Sequence, residues 1–213
     1  MTFKERFYKC GVCGVENKYI VYTSDFISGY SDFDMKPVGS IIGLGASIME
    51  CPNCHYANYD IRTTIVSELS NNLKLWNSLS EFQNIIKKYS GTLRKILLVA
   101  KQYENNMDYL NAYKTYIMAS WVSDDKKTNK FRKKAYQIFT EKILPNYNNN
   151  LIQIGDILRM EGNFKNAIKI INAVRELTDK SDHNILKVLD AEIKFIENKD
   201  KKRHNLGEIF SEK

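Results

Sequence analysis

The sequence predicts an α+β chain that is mainly α, in which a small cysteine-bearing β module precedes an array of antiparallel helices. Three observations carry this prediction. All four cysteines fall into two Cys-x-x-Cys pairs, Cys10 with Cys13 and Cys51 with Cys54. The residues beside them are β-branched and aromatic, as in Tyr19-Ile-Val-Tyr-Thr23, a composition suited to a pleated strand. From about Thr63 onward, apolar residues recur three and four positions apart, which is the period of a helix face.

A Cys-x-x-Cys turn points two sulfurs at a common point, and two such turns supply the four soft ligands that tetrahedral zinc prefers. Gly11 and Gly14 flank the first pair and Pro52 stiffens the second. Glycine after the second cysteine of a pair permits positive φ and lets backbone N–H groups face thiolate sulfur. Two other chemistries use the same spacing. A redox Cys-x-x-Cys opens a helix in a βαβ setting, and neither pair here is followed by a convincing amphipathic helix. Disulfides go with secretion, and the opening Met1-Thr-Phe-Lys-Glu-Arg-Phe-Tyr8 has no apolar h-region. The expectation is one structural Zn2+ held by Cys10, Cys13, Cys51 and Cys54 in a reducing cytoplasm. Four thiolates fill its coordination sphere and leave no position for a reacting water.

Among the 213 residues, 43 % are hydrophobic and 12 % aromatic, enough apolar material for a real core, and no apolar run approaches the length of a membrane span. The net charge of +7 is unevenly shared. Residues 1–62 hold six Lys/Arg against seven Asp/Glu, and residues 63–213 hold 26 against 18. An electrostatic partner would therefore face the second part.

Taken in order, Phe7 to Tyr22 reads as strand, cysteine knuckle, strand, the construction of a zinc ribbon. Ser24 to Gly45 is a polar excursion bearing Pro37, Gly39 and Gly43, after which Ser47–Glu50 enters the second knuckle and His55–Tyr59 leaves it. Ile65, Leu69, Leu73 and Trp76 form the first helical face, followed by Phe82, Ile85, Ile86 and Tyr89 up to Ser90-Gly91. Leu93 to Ala100, Tyr109 to Trp121 and Phe131 to Phe139 mark three more helices, and Pro145 with Asn146 marks a stop. Leu151 to Met160, a turn at Glu161-Gly-Asn163, a partner through Ala167 and Ile171, and a last helix from His183 to Glu197 complete the chain. In the Leu151–Val174 stretch, Gly155 and Ala167 are small where two helices cross and Phe164 is bulky at the turn, a spacing that resembles a tetratricopeptide repeat. The expected partition is a zinc-ribbon-like module at 1–62, a helical-repeat domain at 63–198 and a basic, flexible tail at 199–213. The helical core is expected to owe little to the ribbon.

The Cys-x-x-Cys-Gly knuckle, the Asp-x-Asp-Met-Lys-Pro stretch at 32–37, the Cys-Pro-x-Cys-x-Tyr-Ala knuckle at 51–57 and the downstream hairpin together resemble a bacterial family, domain of unknown function 2225. The resemblance runs over nearly the whole chain except its C-terminal tail. It implies the same architecture and no particular activity. His55 departs from it, standing where the family usually has glycine.

Asp32 and Asp34 share a face if extended, as an acid/base pair or a hard-metal site requires, but no further carboxylate or histidine accompanies them in a recognisable spacing. Their expected role is structural, bonding loop backbone or pairing with a cation such as Arg62. His55, His183 and His204 form no triad, and no phosphate loop is present because Gly39, Gly43 and Gly45 lack a following Lys-Ser/Thr. The run Lys199-Asp-Lys-Lys-Arg-His204 could track phosphates, or could be a solvated helix end. The function expected is that of a non-enzymatic, zinc-binding scaffold whose helical surface binds a protein or peptide. A nucleic-acid-binding zinc ribbon is the alternative, and only weak nucleic-acid contact and no membrane contact are expected.

Overall fold

The computed structural model describes residues 2–24, 31–34, 36, 47–123, 125–143 and 151–210. The expected stop at Pro145 and Asn146, and the excursion glycines Gly39, Gly43 and Gly45, lie outside them. The chain divides into two compact units, one of Met1–Phe26 with Ser40–Ile143 and one of Ile27–Gly39 with Leu144–Lys213. The described part is mainly helical, with two small antiparallel strand pairs. No described helix is long and apolar enough to cross a membrane.

In the first unit, β1 (Thr2–Lys9) pairs antiparallel with β2 (Glu16–Ser24), Arg6 opposite Tyr19 and Glu5 opposite Ile20. Because the side-chain period of a strand is two, Tyr8 and Tyr19 share one face, where their rings stack with centroids 6.2 Å apart. The Arg62 guanidinium lies 4.8 Å over the Tyr8 ring. Phe3, Phe7 and Ile20 occupy the opposite face and are exposed. β3 (Met49–Glu50) pairs with β4 (Ala57–Asn58) across the second knuckle.

The helical period begins later than the sequence predicts. Ile65 precedes any helix, Leu69 ends a single 3-10 turn at Ser67–Leu69, and α1 runs only over Leu73–Ser78. Asn72 accepts a hydrogen bond from the Leu75 N–H at 3.1 Å and so starts α1 where a capping side chain is available. There follow α2 (Ser80–Lys88), α3 (Gly91–Asn105), α4 (Tyr109–Val122) and α5 (Asp125–Ile138), the last running into a π turn at Phe139–Ile143. Asp108 caps α4 through the Asn111 N–H. α3 packs on α4 and α4 on α5. These helices share one body with the knuckles, so the boundary expected at 62/63 falls inside a unit.

The second unit contains α6 (Leu151–Met160), α7 (Phe164–Leu177), α8 (His183–Glu197) and a short α9 (Gly207–Phe210). Gly162 makes the α6–α7 turn at φ +82°, a conformation that costs glycine little. Gly155 permits close approach, since a Cβ there would stand 2.6 Å from Ile171 Cγ1. The core contains Ile154, Ile157, Ala167, Ile171, Leu189 and Ile196. At its centre the fully buried Arg159 donates to Glu192 Oε1 at 2.9 Å and to Asp156, and its other nitrogen donates to the carbonyls of Asp200 and Lys202 at 2.7 and 2.8 Å.

Those last bonds draw the basic segment into the fold, contrary to the expected flexible tail. Arg203 pairs with Asp34 at 3.0 Å and Asp32 at 3.5 Å. The His204 ring stacks on Phe195 with centroids 3.7 Å apart, and its two nitrogens face Asp200 at 3.0 Å and Glu208 at 2.8 Å. Lys201 lies 5.9 Å over the Phe164 ring.

Two outcomes follow from this unit. Gly155→Val should splay α6 from α7 and cost about 1–3 kcal/mol, measured by chemical denaturation. Burial pushes the Glu192 carboxyl up to about 8, with Asp156 adding and Arg159 opposing. A carboxyl raised in this way binds more protons folded than unfolded, so stability should fall as pH rises from about 4.5 to about 8. Thermal melts across that window should show the fall, and Glu192→Gln should flatten it.

Candidate metal centre

Each knuckle is built by the same backbone circuit. Cys10 N–H donates to Val15 O at 3.0 Å and its carbonyl accepts from Gly14 N–H at 2.9 Å. Cys51 N–H donates to Tyr56 O at 2.8 Å and its carbonyl accepts from His55 N–H at 2.9 Å. In both, the residue after the second cysteine takes the left-handed conformation, Gly14 at φ +70° and His55 at φ +59°. Positive φ at His55 therefore survives the departure from glycine. Its Nδ1 lies 2.8 Å from Glu50 Oε1, which also accepts from Arg94 at 2.7 Å, and these bonds help offset the cost of that backbone for a residue with a Cβ. Both knuckles lead into strands, β2 and β4, and neither opens a helix.

The two turns converge. All four sulfurs lie within 4.8 Å of one another, with Cys10 Sγ 3.7 Å from Cys54 Sγ and Cys13 Sγ 3.6 Å from Cys51 Sγ. All four cysteines are free, and Cys10, Cys51 and Cys54 are buried. Val12 N–H approaches Cys10 Sγ at 3.4 Å, and Asn17 Nδ2 approaches Cys51 Sγ at 3.8 Å. Hydrogen bonds from Cys10 and Cys54 hold the Cys51 thiol far below the usual thiol range. The hydrogen bond with Cys51 pushes Cys10 up to about 11, and Cys54 is pushed far up, chiefly through Cys10. Like charges this close oppose joint ionisation, so four thiolates can coexist here only around a cation. The donor set is sulfur throughout, and the cluster could hold a metal ion.

The surrounding helices position the centre through residues that no motif in the sequence marks. Trp76, whose spacing predicts only a point on a helical face, donates its Nε1–H to Cys54 O at 2.7 Å in a buried bond. Its ring meets Tyr56 edge-on at 5.4 Å and Phe82 at 4.8 Å. Gln102 of α3 donates to Ala57 O at 2.9 Å, also buried. Gly11 N–H donates to Ile61 O at 2.8 Å and Gly11 O accepts from Asn71 N–H at 2.7 Å. A Cβ on Gly11 would come 2.8 Å from Arg62 O, so this glycine serves close approach between the first knuckle and the chain entering the helices. Where the sequence predicts a helical core that owes little to the ribbon, Trp76, Gln102 and Asn71 tie this part of the chain to both knuckles.

The remaining candidates lie elsewhere. Asp32 and Asp34 pair with Arg203 of the second unit, and Asp34 also accepts from Lys36 N–H at 3.2 Å. Arg62, their expected partner, pairs with Asp60 at 2.8 Å. No sequence pattern points to Arg203, which stands 169 residues from Asp34.

Comparison with family models, with curated proteins and with solved structures gives no match to any of them. The resemblance to domain of unknown function 2225 rests on the quoted residues alone.

Removing metal with a chelator under reducing conditions should therefore lower the helical signal of the first unit and not only its strand content, measured by circular dichroism. Trp76→Phe keeps most of the ring and deletes the donor to Cys54 O. It should cost about 1–3 kcal/mol in denaturant melts, the penalty of one buried unsatisfied carbonyl.

Proposed function

We propose that this chain is a non-catalytic zinc-binding interaction scaffold. One structural zinc on Cys10, Cys13, Cys51 and Cys54 fixes the N-terminal ribbon to helices that present a surface for a protein or peptide partner. The observation that carries the metal reading is the sulfur geometry. Zinc with Zn–S of about 2.3 Å in a tetrahedron requires S···S edges of about 3.8 Å, and two edges here measure 3.6 and 3.7 Å. A four-thiolate site favours zinc in a reducing compartment and serves folding more than reaction. The α6–α7 hairpin, with Gly155 at the crossing and Gly162 in the turn, supports a tetratricopeptide-like arrangement in which stacked hairpins offer a binding face.

The nucleic-acid alternative uses the ribbon and the basic helical part, of which the segment at 199–204 is the densest cationic run. Arg203 is engaged by Asp32 and Asp34, and Lys201 lies over Phe164, which favours a structural use of these cations over phosphate contact.

Elemental analysis of the reduced protein should find about one zinc per chain, lost in Cys51→Ser. Capture of partners from native lysate, with and without nuclease, should retain a protein ligand after nuclease treatment. A partner set that vanishes with nuclease would instead promote the nucleic-acid reading.

A further inference from the structure

The first unit contains a groove that the metal centre does not use. It has a volume of about 400 Å³ and lies among α2, α3, α4 and α5. Its floor is apolar and nearly closed to water: Leu97, Tyr116 and Phe131 are 4 %, 7 % and 4 % exposed. Ile85 and Tyr89 form one wall, both half-buried, and the Tyr89 and Phe131 rings lie 6.1 Å apart. The other wall is a row on α5. Lys130, Lys133, Lys134 and Gln137 follow spacings of three, one and three, which sets them along one edge of the helix for two turns, about 10 Å.

The two walls differ in character. Lys134 is partly neutralised, since its ammonium reaches Glu104 at 2.6 Å and lies 5.9 Å from the Tyr116 ring centroid. Lys130 is exposed, and no ion pair to it is found among the described residues. None of the described residues that line the groove is a carboxylate. An apolar trough with a cationic edge is complementary to a ligand with apolar anchors on one side and carboxylates on the other.

Building on the scaffold reading above, we propose that this α2–α5 groove docks an acidic amphipathic segment of a partner protein. Its bulky apolar side chains sit over Leu97, Tyr116 and Phe131, and its carboxylates, three or four residues apart, face the lysine edge of α5 at Lys130. The cavity lies within the range of volumes that bury a compact ligand. The repeat of the α5 edge matches the spacing of one face of a helix, so the anchor and charge positions on the segment recur with the same period.

The probe is a labelled synthetic helical peptide of about 16 residues, with Leu and Phe at positions i, i+3 and i+7 and Glu flanking them, titrated by fluorescence anisotropy against the full-length zinc-loaded protein. Saturable binding is expected. It should weaken at least about fivefold when the peptide's Glu residues become Gln, and about tenfold in the double variant Lys130→Glu, Lys133→Glu. Ile85→Ser, on the half-exposed wall, should weaken it by a similar factor without unfolding the unit, which the circular dichroism spectrum checks. Binding should also fall as salt rises, because the rim charges are exposed. Equal binding to wild type and to both variants, or no saturation, overturns the proposal. So does binding of decanoate or of a poly-dT oligonucleotide that displaces the peptide with higher affinity, since the groove is then a site for an anionic amphiphile or a nucleic acid. The wider scaffold reading fails separately. A nuclease-resistant partner that binds the groove variants as well as wild type leaves that reading standing and removes only the groove.

Discussion

The first unit depends on bringing four sulfurs within 4.8 Å of one another. Two turns some forty residues apart in the sequence must be held face to face, and neither the two-residue β3–β4 pair nor an isolated hairpin could do so unaided. The polypeptide meets this demand with paired main-chain circuits and then braces them from behind. Trp76 bonds the Cys54 carbonyl, Gln102 bonds the Ala57 carbonyl, and Asn71 N–H bonds the Gly11 carbonyl. All three are directional contacts to backbone, so they fix the orientation of each knuckle as well as burying apolar surface. The coupling runs in both directions. The helices shape the sulfur cluster, and the cluster gives α1 and the 3-10 turn before it, both too short to be stable alone, a fixed surface on which to form.

The second unit solves a different problem. Arg159 is fully buried, and an unpaired guanidinium in that position would be prohibitively costly. Two carboxyl groups and two main-chain carbonyls surround it, and the carbonyls come from the segment that the sequence presents as a solvated basic run. A charge placed in the core of α6 thus recruits the C-terminal segment. Arg203 then carries the same logic outward to Asp32 and Asp34. Polar contacts of this kind stabilise modestly but specify strongly, because alternative placements of the segment leave a buried charge unpaired.

These arrangements separate the chain's charges by use. The cations of residues 201–203 are partly spent on aromatic and carboxylate partners within their own unit, and so is Lys134 of α5, whereas Lys130 stands exposed at the edge of an apolar trough. The net positive charge of the helical part is therefore a poor guide by itself to where a partner would sit.

What the sequence determined by itself was local. Cys-x-x-Cys spacing dictates a turn that aims two sulfurs together, β-branched runs dictate the strands on either side, and the 3.6-residue period located α2 to α8 with errors of a few residues. Gly155, Gly162 and Ala167 also disclosed the α6–α7 crossing, because the space available at a crossing is limited by side chains on the two helices themselves. Tertiary structure decided the rest. That Ile65 and Leu69 lie outside any regular α-helix follows from Tyr56 and Asn58, which bond the Thr63 carbonyl and commit that stretch to a turn against the second knuckle. That Asp34 pairs with Arg203 instead of Arg62, and that residues 1–62 do not form a module of their own, depends on which side chains meet across long intervals of chain. Periodicity carries no information about such meetings, since a buried face is compatible with many partners until packing and charge neutralisation select one.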